Sequence, residues 1–391
     1  MAPHRLQAQR LPRVFTVSTR FSLFVILAIG LFLPVAPCEG SDERRMSLEQ
    51  IDAVTIRQLD GGIPVWNYVF DLKDHPWIDR SDPRRISGGY FHPLYGLNGE
   101  PITVEATNWD NHAHHHGLWS SFTTVDILEG SCAGHYDTWT DNTALKKAFI
   151  QWKQRDGEGG ASHIQAEDGW FVMKNPEDPD GERTLVAKET MDLKTSSLKE
   201  NTDAGHYRIL DFEWTFEAVG NRVEIAGDRV YSKDFASLAV RFTPPAENPV
   251  ILSDEGEIAE DGLSVKRKWI AYESNFTKNL ETLAKLFPDY VRKSGLEALA
   301  KKSTGSKTSG VAFFASPANP PFEGGWAVRH YGMVVTGWPG CAGTVLVPGK
   351  PTVLRYRILI YEKPLSVEAL EKMYQEYAEG DADGTLAVRD R

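Results

Sequence analysis

The stretch Leu210-Asp-Phe-Glu-Trp-Thr-Phe-Glu217 decides the fold class of this chain. Leu210, Phe212, Trp214 and Phe216 are apolar, while Asp211, Glu213, Thr215 and Glu217 between them are polar. A period of two places the four apolar side chains on one face of an extended strand, so this segment reads as part of a sheet with one buried face. Gly220-Asn221 then turns the chain into a second strand, Arg222-Val-Glu-Ile-Ala226. Leu354, Tyr356, Ile358 and Ile360 repeat the alternation near the end, with Arg355 and Arg357 on the other face.

Further strands are expected at residues 54–56, 64–71, 102–105, 149–155, 169–174, 184–192, 237–242, 310–314 and 333–336, punctuated by Gly, Pro, Asn and Asp. Many short strands with such turns predict a mainly β protein, a β-sandwich or related barrel. Two segments read as helical. One opens at Pro364-Leu-Ser366, where Ser366 caps the first turn, carries Leu370, Met373, Tyr374 and Tyr377 as one stripe, and ends near Gly380. The other spans residues 277–302, is broken by Pro288 and Gly295, and reads as a helical insertion between strands.

The first 40 residues are expected to be a secretory signal. Arg5, Arg10, Arg13 and Arg20 precede the apolar stretch Phe21 to Pro37, and a charged segment follows. Residues 41–380 are expected to form one sandwich domain and residues 381–391 a frayed tail, which makes the protein periplasmic or extracellular. Loss of the signal, with its four Arg and one Glu, takes the formal charge from −11 to −14. So acidic a chain is a poor partner for nucleic acid or anionic membranes. Cys132 and Cys341 are too few for a stapled scaffold, although an oxidising compartment permits them to pair. The core must therefore come from burial, for which 11 Trp, 18 Phe and 13 Tyr are available.

The chemistry concentrates at Asp110-Asn-His-Ala-His-His-His-Gly-Leu-Trp119, which holds four of the chain's 11 histidines. Histidine serves as acid, base or metal ligand near neutral pH. In a regular strand His112, His114 and His116 would share one face and His115 would take the other. The first three are therefore the candidate ligands of a divalent metal, although the Glu expected a few residues after a cupin-type His-x-His is missing. As acid/base groups the candidates are His92, His112, His114 and His115, with Asp110 or Glu129 to orient or oppose them. Trp119, Trp326, Arg329 and His330 are the candidate substrate contacts: a Trp face suits a sugar ring, and an Arg fork suits carboxylates or hydroxyls. There is no Gly-x-Ser-x-Gly motif, no P-loop and no dinucleotide fingerprint.

Tyr90-Phe-His-Pro-Leu-Tyr95, His112-x-His-His-x-Gly-Leu-Trp119, Ser316-Pro-Ala-Asn-Pro320, Trp326-x-x-Arg329-x-Tyr-Gly332 and Leu354-Arg-Tyr-Arg357 occur in that order. The series resembles the bacterial exported proteins called PmoA-like, from about residue 55 to residue 378. A methane oxygenase subunit is a bundle of membrane helices, which this strand-rich chain is not, so the name is no guide to activity. The resemblance implies a large antiparallel sandwich similar to galactose-mutarotase-like proteins, with recurring positions at His92, His112, His114, His115, Trp119, Trp326 and Arg329. Ala315 and Ser316 stand where the pattern has Asp-His, and His116 stands where it has Arg.

Three functions are compatible with these residues. The first is an exported carbohydrate-active enzyme, a hydrolase, lyase or epimerase that uses histidine acid/base chemistry on a sugar or oligosaccharide. The second is a metal-dependent enzyme built on the same histidines. The third is a non-catalytic glycan-binding module.

Overall fold

The computed structural model describes residues 45–71, 88–107, 112–140, 144–176, 178, 180–298 and 307–381. The expected signal segment, Asp110 and the expected tail from residue 382 onward lie outside the described residues. Two large antiparallel sheets make up the body. The nine-stranded sheet runs, in spatial order, Met46–Gln50, Thr55–Asp60, Ile63–Val69, Tyr90–Leu94, Leu118–Phe122, Ala236–Arg241, Met333–Val335, Trp326–Arg329 and Gly262–Val265. The ten-stranded sheet runs Leu145–Asp156, Ala161–Met173, Arg183–Ser196, Gly205–Ala218, Thr352–Tyr361, Ser309–Ala315, Trp269–Ser274, Val250–Ser253 and Gly256–Glu257, with Lys199–Asn201 added beside Gly205–Ala218.

The sheets face each other across one aromatic core, as the period-two pattern requires. Leu210, Phe212, Trp214 and Phe216 are all buried in it. Phe91 meets Phe212 edge-on with ring centroids 5.4 Å apart, Phe122 meets Phe216 at 5.3 Å, and Phe242 stacks on Tyr272 at 4.2 Å. Each such pair adds about 0.5–1.5 kcal/mol to the burial of its rings. Trp66 also donates its indole N–H to Thr195 Oγ1 across the layers, at 3.0 Å.

The expected helices form, and they cover different parts of the structure. Val367–Asp381 runs one residue past Gly380, and Ser366 Oγ accepts the Ala369 N–H at 3.2 Å as its cap. Its stripe of Leu370, Tyr374 and Tyr377 closes over Trp269, Phe314 and Leu359 on the outer face of the ten-stranded sheet. Under that helix part of the polar face is buried as well. Asp211 is 2% exposed and accepts both Nε and Nη2 of Arg357, at 2.6 and 2.8 Å.

Within the insertion, two helices lie wholly among the described residues, Phe276–Leu286 and Pro288–Lys293. They part at Pro288, whose missing N–H would break the ladder inside a helix but costs nothing at the first position of the second one. Asn275 Oδ1 caps the first helix by accepting the Lys278 N–H. Leu280, Leu283, Val291 and Leu296 bury against Val104, and the Tyr290 hydroxyl accepts the Glu105 N–H at 3.0 Å. The insertion thereby braces the segment that leads into the histidines.

The strand expected after Gly220-Asn221 forms as Val223–Ala226 and joins a four-stranded sheet with Thr344–Leu346, Thr124–Ile127 and Gly134–Tyr136. One local expectation is corrected. Residues 102–104 form only an isolated bridge from Thr103 to Phe242, and the strand begins at Glu105. The pairing open to Cys132 and Cys341 is not made: both are free thiols, with Cys341 Sγ set against the Asp228 carbonyl at 3.5 Å.

Candidate functional site

Glu105–Thr107 and His112–His116 form a two-stranded ribbon above the outer face of the nine-stranded sheet. That face carries Val69, Tyr90, Trp119, Ala239, Met333 and Val335, with Trp139 packed on it. The ribbon is irregular: Glu105 pairs with His116 while Thr107 pairs with His112, so two residues on one side span four on the other. A bulge of this kind breaks strict alternation and re-aims side chains. The expected segregation of His115 from its neighbours therefore fails. His115 stacks on His112 with centroids 4.5 Å apart and meets His114 edge-on at 4.7 Å. His112 and His114 are 5.9 Å apart. His116 packs instead on Tyr90 at 5.0 Å.

Gly117 sets the bend from ribbon to sheet. Its φ is +81°, a left-handed conformation, and an added Cβ would lie 2.3 Å from the Phe91 carbonyl oxygen. Its own carbonyl accepts the Arg241 N–H at 2.6 Å, which ties the bend to the neighbouring strand.

His115 is 2% exposed. Burial first, then the charges of His114, Arg241, His112 and His116, holds its imidazole pKa well below the ordinary 6.5. It is therefore neutral at neutral pH, and its buried Nδ1 has no hydrogen-bond partner among the described residues. The indole N–H of Trp119 beneath it, at a ring distance of 5.4 Å, has none either. Buried polar atoms left this way are costly unless a ligand or water meets them. Tyr331 flanks the stack at 5.7 Å from His112, and the Arg241 guanidinium lies over the Tyr331 ring at 4.4 Å. The arrangement offers a neutral imidazole, two further imidazoles and a buried cation around one aromatic floor. No group of three or more His, Cys, Asp or Glu is arranged to hold a metal ion among the described residues.

The other expected residues are dispersed. His92 is buried beside the ribbon, with Nδ1 3.2 Å from Thr103 Oγ1, and its Cβ faces Gly117. Trp326 is 3% exposed within the inter-sheet core and donates its indole N–H to the Arg267 carbonyl at 2.7 Å, so it presents no open face to a sugar. Arg329 and His330 both engage Asp261, at 3.4 and 3.0 Å. Glu129 pairs with Arg222, whose hydrogen bonds hold its carboxyl below the ordinary range. Asp110 lies outside the described residues.

Sequence reasoning missed Trp139, Tyr331 and Arg241 beside the histidines. Two had a signal: Tyr331 stands inside the Trp326–Gly332 motif, and Arg241 falls two residues after Ala239 on an expected strand. It also missed a buried polar group behind Trp119. A cavity of about 20 Å³, room for one water, is lined by Tyr90, His116, Trp119, Ser120 and Lys147 among others. Lys147 Nζ donates to the carbonyls of Ser120 and Gly89 and pairs with Glu189 at 3.5 Å. Asp168 is 1% exposed, and an added Cβ at Gly89 would lie 2.5 Å from its Oδ2. Burial lifts the Asp168 carboxyl to about 7; Lys147 pulls it down, while Glu189, Asp71 and Glu167 add to the rise.

The model of a family of unknown function, DUF6807, matches residues 55–375, and the chain belongs to that family. No curated protein matches it. Among solved structures it is similar to the GH36 α-galactosidase AgaA of Geobacillus stearothermophilus, solved in complex with raffinose, at 10% identity and a TM-score of 0.34 over 77% of this chain and 40% of that one. It is also similar to the α-galactosidase of Lactobacillus brevis, at 8% identity and a TM-score of 0.34 over 82% and 40%. The chain thus spans about 40% of the length of either enzyme, and neither likeness assigns it an activity.

Proposed function

We propose that this DUF6807 member is an exported carbohydrate-active enzyme that works by proton transfer between imidazoles. The observation that carries the reading is His115, a buried imidazole stacked on His112, edge-on to His114, with Nδ1 unpartnered among the described residues. A neutral imidazole is the form that accepts a proton, and a second imidazole at ring contact is placed to return one. In the favoured reaction His115 takes a proton from a sugar carbon next to a carbonyl, and the electron pair moves onto that carbonyl as an enolate. Arg241 is the cation on hand to stabilise the new negative charge. His112 or His114 then delivers a proton either to the carbon, which gives an epimer, or to a leaving oxygen at the adjacent carbon, which gives an elimination. The basic, apolar N-terminal stretch supports export, as does the resemblance of the motif order to the exported PmoA-like proteins.

The test is turnover of oxidised and unmodified glycosides by the protein and by His115→Gln, which keeps approximate shape and removes the base. Loss of one general base costs roughly 10²–10⁴-fold in rate. Turnover is expected to fall by that factor while the unfolding midpoint is retained. Exchange of the substrate carbon-bound proton with deuterated solvent, lost in the same variant, would locate the step. A variant that turns over at the parental rate overturns the assignment.

A further inference from the structure

The outer face of the nine-stranded sheet holds a second concavity, beside His92, that the acid/base reading leaves unused. It has a volume of about 350 Å³, within the usual range for small-ligand sites. One wall is Ser294, Gly295, Leu296 and Ala298 of the helical insertion, and the floor is the sheet itself. Arg57 and Asn67 face each other across neighbouring strands in register. Arg57 Nε donates to Asn67 Oδ1 at 2.9 Å, and Nη1 to Glu49 at 3.2 Å. The Tyr95 hydroxyl joins the same pair through hydrogen bonds to Asn67 and Arg57. His92, Asp52, Thr55 and Ser294 add to the polar lining, while Pro64 and Pro93 supply apolar surface.

We infer that this concavity is a binding site for a neutral sugar of one or two rings. Three features select that class. The polar lining mixes donors, from Arg57, Asn67 and Tyr95, with acceptors, from Asp52, Asn67 and Tyr95, and a hydroxyl needs both at once. The Arg57 charge is offset by Glu49 at ion-pair distance and by Asp52 in the lining, so no positive field remains to favour an anion. The Arg57–Asn67–Tyr95 plate is held by its own hydrogen bonds, so little ordering is needed when a ligand binds. The site abuts the histidine ribbon through His92, whose Cβ faces Gly117. It does not depend on which imidazole moves the proton.

The experiment is calorimetric titration of the purified protein with glucose, galactose, maltose and lactose, and with glucuronate as the anionic control. Saturable binding of at least one neutral sugar is expected. Affinity should fall at least tenfold in Arg57→Leu and in Ala298→Trp, the second of which fills the mouth from the insertion side. Thermal unfolding of each variant establishes that it is folded. His115→Gln should bind as the parent does, so loss of turnover without loss of binding separates the two readings. The absence of saturable binding by all four sugars, tighter binding of glucuronate, or binding indifferent to both cavity substitutions would each overturn the inference.

Discussion

Replacing Asp168 with Asn should flatten the pH dependence of stability. The carboxyl sits between the sheets against Gly89, next to Lys147 and opposite Glu189 on the neighbouring strand. Its pKa is about 7 in the folded protein against 3.8 as the ordinary value. At about 1.4 kcal/mol per pH unit that interval is worth roughly 4 kcal/mol. The sign follows from proton binding: between 3.8 and about 7 the folded chain keeps a proton that the unfolded chain has lost. The contribution is therefore fully present below 3.8, declines as pH rises through about 7, and is gone above it. Asn cannot ionise, so Asp168→Asn lacks this decline. Urea unfolding of both proteins at about pH 4 and about pH 8 gives a difference of differences in which any fixed cost of the amide cancels. The variant should gain roughly 4 kcal/mol relative to the parent between the two conditions. Parallel stability curves, within about 0.5 kcal/mol, would refute the burial argument.

Gly117→Ala should destabilise by about 1–3 kcal/mol or more, because it combines a left-handed φ with a Cβ driven into the Phe91 carbonyl; an unchanged urea midpoint would show that the bend is not constrained as described. Arg208→Met should cost about 3–5 kcal/mol, because the Arg208–Asp60 pair has side chains only 2% and 0% exposed and the carboxylate would be left buried. The double variant Arg208→Met, Asp60→Leu should recover much of that loss in the same unfolding measurement, and a double variant no better than the single one would count against an uncompensated charge.

The amino-acid sequence by itself determined the strand-rich class, both helical segments and the place of the chemistry. These are local properties: the alternation at Leu210 to Phe216, the cap at Ser366 and the break at Pro288 act over a few residues. The density of histidines between residues 112 and 116 needs no fold to be noticed. Other facts depended on which surfaces meet. Trp326 and Arg329 lie on opposite faces of one strand, and because apolar residues occupy both faces of that sheet, alternation could not say that Trp326 faces the core. His115 joined His112 because the ribbon is bulged, and the bulge belongs to the pairing with Glu105–Thr107. Lys147, Asp168 and Glu189 are charged residues whose sequence context carries no sign of burial, and only the stacking of the second sheet, with Gly89 against Asp168, put them out of water. Periodicity reports the direction of a side chain relative to its own strand; what that side chain meets is set by partners far away in sequence, whose register and layer only the tertiary structure decides.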